Sequence, residues 1–343
     1  MIFEYALEPA LVASWHDPAK WRFFDGKFGI GTRRVVCALP SPGWRDMVLQ
    51  AFEDETKGAD PAARQTARKR LDVLLEHVSR DMTKRAQMAP TGSSWLDAAV
   101  AEHGAYPFQG ILARSFATKG DFALAADALT ETSSPRWSPR HASTLRQVHD
   151  VSQALSPILR SCTEARFIDP YFDASIRDFS EPFASFLALL QQRRDPERIK
   201  IEVHTAPRAD GAWKKPADVA QEKIRDCRTA FAPLLKPGVS LRVFVWSEGV
   251  PGGDKLHNRY ILTNQGGVAV QSGLDRSHPS SPHTDDLTLL SREQYLRRWD
   301  QYREGSKAFR LVLPAPGVIT AADAGGAAAT SPIAKPTTTP PKR

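Results

Sequence analysis

The sequence predicts an α/β protein in which a mainly helical region precedes an α/β domain. Three observations support this prediction. Residues 1–160 carry mostly helical periodicity, residues 161–313 alternate short strand-like runs with helical runs, and residues 314–343 are rich in Ala, Pro and Thr without any period. At 343 residues the chain is long enough to form two hydrophobic cores. We therefore expect a helical first domain, an α/β second domain and a disordered tail.

The helical prediction for the first region depends on two segments. In "DPAARQTARKRLDVLLEHVSRDM", Asp60 is a candidate N-cap and Pro61 occupies the first helical position, and five apolar residues follow at helical spacing (Leu71, Leu74, Leu75, Val78 and Met82). Its basic cluster of Arg64, Arg68, Lys69 and Arg70 is open to two interpretations, a nucleic-acid contact or a solvated helix face. "ASTLRQVHDVSQALSPILRSC" is predicted as a second helix.

The second region alternates strands and helices in order. "EARFID" is predicted as a short buried strand, and "SEPFASFLALLQQ" as a helix capped by Ser180. "RIKIEVH" and "VSLRVFVWS" alternate apolar and polar residues as strands do, with the helix "KPADVAQEKIRDCRTAFAPLL" between them. Strand–helix–strand repeats indicate parallel strands joined by right-handed crossovers. "DDLTLLS" and "REQYLRRWDQY" are predicted as a last strand and a closing helix.

Between these elements lies "KLHNRYILTNQGGVAVQSGLD", from Lys255 to Asp275. "RYILT" is β-branched and aromatic, "QGG" turns the chain, and "VAVQS" alternates. The segment is therefore predicted as two strands joined by a tight turn.

Composition restricts the classes of protein that the chain can represent. The net charge of +7 and the isoelectric point near 9.4 favour a polyanionic partner, or a surface that is merely rich in arginine. Three well-separated cysteines form neither a disulfide framework nor a zinc pattern, and they fit a reducing cytoplasm. We expect no membrane span and no secretion signal.

The residues with the clearest chemistry are His257 and Arg259. In an extended segment, residues two apart point to the same face. A neutral imidazole can serve as nucleophile or base, and a guanidinium beside it can hold a phosphoryl group. Ser272 on the following strand can offer a hydroxyl, and Asp169 ends the first parallel strand, at the edge where open α/β sheets place ligands. This set of groups favours phosphoryl transfer through a phosphohistidine.

The same residues resemble the phospholipase D superfamily, whose signature has the form H-x-K-x4-D-x6-G-S-x-N. His257 matches the histidine, Arg259 takes the lysine place, Asn264 takes the aspartate place and Ser272 matches the serine. The resemblance covers about residues 164–313 and implies a phospholipase D-like α/β sandwich. In the family the histidine attacks phosphorus, so the resemblance implies a metal-independent phosphodiesterase without a cofactor.

Three positions depart from the signature. Asn264 lacks the carboxylate that supports the family's site, and Gln271 and Leu274 replace a glycine and an asparagine. The string "HNRYILTNQGG…SGLD" is similar to a divergent branch that includes binding domains of membrane-remodelling adaptors and bacterial proteins resembling components of anti-phage systems. Asp275 is expected to replace the missing polar contact, and Asp286 to form a polar wall of the phosphate pocket. We expect no metal site at His278 and His283, whose spacing is not typical of zinc ligands.

Enzymes of this family use two histidines, whereas this chain carries one copy of the motif. "HVSRDM" at His77 lies in a predicted helix, and "HTAPRAD" at His204 lacks the downstream serine. An active enzyme is therefore expected to be a homodimer that brings two His257 residues together.

Two functions remain open at this point. The first is a cytoplasmic phosphodiesterase, a nuclease rather than a lipase, acting as a homodimer and associated with companion proteins of a bacterial defence complex. The second is an inactive binding or scaffold module that recognises nucleic acid, a phosphate group or partner proteins.

Overall fold

A computed structural model gives the fold of the chain and describes residues 3–23, 34–79, 82–85, 94–114, 122–126, 141–192, 199–208, 214–249, 253–278, 280 and 283–326. The molecule is a mixed α/β protein, and these described residues form two sheets. The first sheet is built from residues 3–125 and the second from residues 141–320. None of the helices within these ranges is long and apolar enough to cross a membrane.

Within the described ranges, the first sheet has five parallel strands in the order β3-β2-β1-β4-β5. These strands are β1 (Phe3–Leu7), β2 (Arg34–Ala38), β3 (Thr83–Lys84), β4 (Gly110–Ala113) and β5 (Ala123–Ala125). The prediction of a mainly helical first region was therefore incomplete: the helices are present, but they pack on a parallel sheet. The strands are two to five residues long, and apolar runs this short cannot be distinguished from buried helix segments by periodicity alone.

The helices that the structure describes in this first unit are α1 (Pro9–Ala13), α2 (Pro18–Phe23), α3 (Trp44–Glu55), α4 (Pro61–Ser79) and α5 (Trp95–Ala105). Helix α4 confirms the sequence prediction at its start. The Asp60 carboxylate accepts a hydrogen bond of 2.9 Å from the Ala63 backbone N–H, and Pro61 occupies the first helical position.

The second sheet follows the order β13-β9-β8-β7-β10-β11-β12-β6. Its strands are β6 (His141–Leu145), β7 (Glu164–Ile168), β8 (Lys200–Thr205), β9 (Ser240–Ser247), β10 (Tyr260–Thr263), β11 (Gly266–Val270), β12 (Thr284–Leu289), β13 (Arg310–Leu311) and β14 (Gly317–Thr320). Strands β7, β8 and β9 are parallel, and β10 and β11 form the predicted antiparallel hairpin. The order of strands and helices along the chain that was predicted for residues 164–289 is confirmed.

The helices of this unit are α6 (Val148–Ser161), α7 (Arg177–Leu190), α8 (Pro216–Phe231) and α9 (Arg292–Gln301). Two predicted helix starts were wrong. Residues 142–145 belong to β6, which pairs with β12, so α6 begins only at Val148. Helix α7 begins before Ser180, which therefore lies inside the helix and does not cap it.

Both predicted limits of the second domain also differ from the structure. Its sheet begins with β6 at His141 rather than near residue 161, and it continues past residue 313. Strands β13 and β14 pair with successive parts of β9, and residues 321–326 form a short 3-10 helix. The predicted disordered tail of residues 314–343 is therefore wrong up to residue 326, and the rest of that prediction lies outside the described residues.

Side chains of the second sheet alternate between two hydrophobic clusters. Phe167 faces a core that includes α6, α7 and α8, whereas Ile168 faces a smaller cluster packed against Tyr295 and Trp299 of α9. The larger core also contains Tyr5 and other side chains of the first unit, so the two sheets share one continuous apolar interior. This packing fixes the carboxyl ends of β7, β8 and β9 at one edge of the second sheet.

A buried polar cluster lies beneath this edge and is centred on His204 of β8. His204 Nδ1 accepts a hydrogen bond of 2.9 Å from the Trp246 indole, and Nε2 lies 3.2 Å from Glu202. An indole N–H can only donate, so the imidazole proton sits on Nε2 and points at Glu202. Glu202 also pairs with Arg166 and Arg242, each at 3.2 Å. Burial lowers the pKa of His204 from its ordinary value and keeps the ring neutral.

This buried ring predicts a pH dependence of stability. Below the ordinary histidine pKa of 6.5, His204 is protonated in the unfolded chain but stays neutral in the folded chain. The stabilisation is therefore fully present above pH 6.5 and is lost as the pH falls below that value. We expect the free energy of unfolding to decrease between pH 7 and pH 5 by up to about 1.4 kcal/mol per pH unit. Urea unfolding at several pH values gives the dependence of the unfolding free energy on pH for the wild type, H204Q and the exposed-site control H278Q. The same pH dependence in H204Q as in the wild type would contradict this role of His204.

Candidate functional site

The candidate site lies where the hairpin meets the carboxyl end of β7. Strand β10 is antiparallel to β7, with Tyr260 opposite Ile168, so the residues before β10 and those after β7 share one edge. The β10–β11 register pairs Tyr260 with Ala269, and the Val270 N–H donates to the Arg259 carbonyl. His257 comes just before β10 and Ser272 just after β11, so both lie at the same end of the hairpin.

Asp169 joins two loops of the site. Its carboxylate is buried and accepts hydrogen bonds of 2.9 Å from the backbone N–H groups of Tyr171 and Leu274. Burial raises the pKa of Asp169, while these two hydrogen bonds and the nearby Arg259 act in the opposite direction. The loop after β7 and the loop after β11 are thereby held together around one carboxyl group.

Arg259 is fixed next to this carboxyl group. Its Nε lies 4.0 Å from Asp169 Oδ1, and its guanidinium donates to the Gln271 carbonyl at 3.2 Å. The Nε atom is buried and has no hydrogen-bond partner among the described residues. A buried N–H group without a hydrogen-bond acceptor lowers the stability of the fold. The side chain as a whole is 22% exposed. An anion at this edge would therefore contact the terminal nitrogens of the guanidinium, because the Nε atom is closed to solvent.

His257 lies in the turn just before β10, and its side chain is exposed. Its ring makes no hydrogen bond to any part of the chain that the structure describes. Ser272 is also exposed, and its backbone N–H donates to the buried carboxylate of Asp285 at 3.2 Å. The two groups predicted to contact a phosphate are therefore accessible from solvent.

Gly273 lies between two carboxylates. Its φ is +123°, a conformation that L side chains rarely adopt. A Cβ atom there would lie 2.6 Å from Asp275 Oδ1 and 3.1 Å from Asp169 Oδ2. Asp275 is in turn held by Arg146, at 2.6 Å between its carboxylate and the guanidinium. The predicted residues Asp169 and Asp275 thus both lie against the space that a Cβ atom of residue 273 would fill.

Two predicted site residues lie elsewhere. Asn264 is in the turn at the opposite end of the hairpin, where its side-chain oxygen accepts from the backbone N–H groups of Thr163 and Glu164 at 2.8 and 3.1 Å. It therefore fixes the start of β7 and does not face His257. Asp286 is exposed on β12, where strand alternation turns its neighbour Asp285 inward instead. The buried carboxylate that Ser272 contacts is therefore Asp285 and not Asp286, the residue predicted to form a wall of the phosphate pocket.

Three residues near His257 were missed by the sequence analysis. Tyr171, 41% exposed, lies beside two cations, with the Arg208 and Arg259 guanidinium carbons 4.4 and 5.1 Å from its ring centroid. Arg208 also donates to the Tyr171 hydroxyl at 2.5 Å. Glu248, the third, follows β9. Their position in the sequence could have identified all three as candidates. Each comes shortly after a parallel strand, and the carboxyl ends of parallel strands form the ligand-binding edge of such sheets.

Arg208 and Glu248 hold the residue that precedes His257. The Leu256 N–H donates to Glu248 at 2.8 Å, and the Leu256 carbonyl accepts from Arg208 at 2.7 Å. The side chain of Leu256 is buried, and the two clamping groups lie 3.8 Å apart. Both backbone groups of Leu256 are thus fixed, which limits the positions that His257 can take.

This clamp predicts faster amide hydrogen exchange at Leu256 when Arg208 is removed. We expect R208A to raise the exchange rate about tenfold, the effect of losing roughly one hydrogen bond, and R208K to raise it less. Hydrogen exchange followed by mass spectrometry on peptides covering Leu256 measures the change. The matched control is R225A, an exposed arginine that contacts Asp226. Equal exchange in R208A and R225A would mean that Arg208 does not hold the segment.

The described residues contain no group of three His, Cys, Asp or Glu side chains that could hold a metal ion. No protein-family model, curated protein or solved structure matches the chain. The interpretation of the site therefore depends on its own geometry and on the motif spacing of the sequence.

Proposed function

We propose that this protein is a phospholipase D-like phosphodiesterase that cleaves nucleic acid through a phosphohistidine at His257. The observation that carries the proposal is the arrangement around Arg259. An exposed imidazole precedes, by two residues, a partly exposed guanidinium that Asp169 and the Gln271 carbonyl hold in place. Both lie at the edge of the second sheet where β7 ends, and their spacing to Ser272 follows the phospholipase D signature.

The proposed reaction has two displacements. An unprotonated nitrogen of His257 attacks phosphorus, the N–P bond forms, and the P–O bond to the leaving alcohol breaks while an acid protonates that oxygen. Water then attacks the same phosphorus, the N–P bond breaks, and the water proton passes to a base. Arg259 and Arg208 offset the negative charge that develops on the phosphoryl oxygens, and the Ser272 hydroxyl donates to one of them.

The acid in the first step is proposed to come from a second copy of the chain. One copy of the motif supplies a single exposed imidazole, so a two-fold axis beside His257 would bring a second ring to the leaving oxygen. The net charge of +7 favours a polynucleotide over a neutral substrate. A role in the cytoplasm beside companion proteins of a bacterial defence complex belongs to the same proposal.

A second candidate function is phosphate binding without turnover. One observation favours it: no described residue makes a hydrogen bond to the His257 ring, whereas catalytic imidazoles are usually oriented by a partner. Asn264, which takes the place of the signature's aspartate, also lies at the far end of the hairpin. In this case Arg259, Arg208 and Tyr171 would bind a phosphate group on nucleic acid, or a partner protein, while His257 remains inert.

The experiment that separates the two functions is a cleavage and binding assay on the wild type. Labelled single- and double-stranded DNA and RNA are incubated with the protein in EDTA, and binding is followed by fluorescence anisotropy. Metal-independent cleavage by a dimer, with mass measured by light scattering, supports the phosphodiesterase. Binding without cleavage supports the second candidate, and a strictly monomeric active protein contradicts the two-histidine mechanism.

A further inference from the structure

A groove on the first unit lies between α4 and the segment that contains α2. Its volume is about 460 Å³, which is within the range of small-molecule and cofactor sites. Trp15 and Trp21 line one side, with ring centroids 5.5 Å apart, and Trp21 is partly exposed. Lys69, Arg70 and Val73 of α4 line the other side. The groove thus combines aromatic and apolar walls with a cationic rim.

The cations of α4 fall into two groups. Arg64 pairs with Glu53, and Arg68 pairs with Glu53 and Asp72. Lys69 and Arg70, which line the groove, are exposed and make no ion pair with the residues that the structure describes. The basic cluster noted in the sequence is therefore half neutralised, and its unneutralised half faces the groove.

Helix α2 adds to this imbalance. Lys20 and Arg22, on either side of Trp21, are exposed, and neither makes an ion pair within the described ranges. These two residues do not line the groove, so the cations on its rim are Lys69 and Arg70. Two neighbouring cations at the rim of an apolar groove favour an anionic occupant over a neutral or cationic one, because a negative charge beside them offsets their mutual repulsion.

We infer that this groove binds an unpaired nucleotide of a single-stranded nucleic acid. The base would enter the apolar groove beside Trp21, and the flanking phosphates would contact Lys69 and Arg70. Aromatic side chains beside cations are the combination that binds single strands without sequence preference, because every base has a flat π face. Val73, 66% exposed, would cover the edge of the base.

The inference depends on the proposed function only for the choice of polymer. It adds a second contact, made by the first unit, and it narrows the substrate class to single strands, whose bases are free to leave the stack. The groove and the site near His257 belong to different units. A failure of nucleotide binding in the groove can therefore be distinguished from a failure of phosphodiester cleavage at His257.

Binding is measured by fluorescence anisotropy with labelled oligo(dT) and with an abasic oligomer of equal length, in full-length protein carrying H257A to prevent cleavage. We expect K69E/R70E to weaken oligo(dT) binding at least tenfold. Two lost phosphate contacts should also lower the slope of log affinity against log salt by about 1.4. The matched control is K307E/R310E, the same charge change at exposed positions of the second unit.

The contact with the base is tested by W21A. We expect this variant to weaken oligo(dT) binding about fivefold or more and to leave binding of the abasic oligomer within twofold, because only the base stacks on the indole. A general loss of structure would weaken both oligomers equally. W21F should restore most of the difference.

Equal affinities of K69E/R70E and K307E/R310E would overturn the inference, and so would equal losses for both oligomers in W21A when the variant is folded by circular dichroism. Either result would assign the groove to another occupant, such as an apolar peptide. Absence of cleavage by the wild type, with these binding results intact, would instead contradict only the phosphodiesterase.

Discussion

Replacing His257 with alanine is expected to lower the rate of phosphodiester cleavage at least about 1000-fold, because removal of a nucleophile eliminates the covalent route. Substrate affinity should change less than about threefold, because the exposed ring makes no hydrogen bond to the described chain and the phosphate contacts of Arg259 and Arg208 remain. Initial rates with labelled single-stranded DNA or RNA in EDTA, together with anisotropy, separate the two effects.

The matched control for this substitution is H278A. His278 is also an exposed histidine, and the partner of its ring is the Ser280 side chain. We expect H278A to retain the wild-type rate within about twofold. If H257A cleaved as fast as H278A, His257 would not be the nucleophile, and the second candidate function would be favoured.

Replacing Gly273 with alanine is expected to have the largest effect on stability. The positive φ of +123° costs an alanine about 1–2 kcal/mol. The new Cβ would also lie 2.6 Å from the Asp275 carboxylate, which Arg146 holds in place, and 3.1 Å from buried Asp169. We therefore expect the free energy of unfolding to fall by about 2–4 kcal/mol, and the cleavage rate to fall with it. Urea unfolding measures the first effect.

Gly43 provides a control for the backbone contribution. Its φ is +119°, close to that of Gly273, but among the described residues a Cβ there would meet just Pro40, at 3.9 Å. The loss in G273A beyond that in G43A then reports the crowding of the two carboxylates. Equal losses of unfolding free energy in G273A and G43A would mean that Asp169 and Asp275 move aside at little cost. The contact of the two carboxylates with residue 273 would then not determine the shape of the site.

The second sheet was predictable from the sequence because each of its main strands carries a local pattern. The short apolar run in "EARFI" predicted a buried strand, and in the structure its Phe167 and Ile168 face opposite cores. The first sheet has no such pattern. Strands β1, β2 and β4 contribute the buried residues Ala6, Cys37 and Leu112. Their runs are so short that only long-range pairing identifies them as strands: Ala6 pairs with Cys37, 31 residues away, and Leu7 pairs with Leu112, 105 residues away.

The same distinction between local and long-range information applies to the candidate site. His257, Arg259 and Ser272 lie within one hairpin, so the motif spacing brings them to one edge. Tyr171 and Arg208 reach that edge from loops after β7 and β8, and no spacing in the sequence encodes their distances. The prediction that Asn264 belongs to the site was wrong for a simple geometric reason. A four-residue strand separates it from Arg259, so it reaches the opposite end of the hairpin.

The most direct test of the account is to trap the covalent intermediate. The wild type and H257A are mixed with a labelled phosphodiester, quenched in alkali, in which phosphohistidine survives, and digested for mass spectrometry. We predict a phosphoryl adduct on the peptide that contains His257 in the wild type and none in H257A. Cleavage that proceeds without an adduct, or with an adduct on another residue, would contradict the central claim that the exposed imidazole beside Arg259 attacks phosphorus.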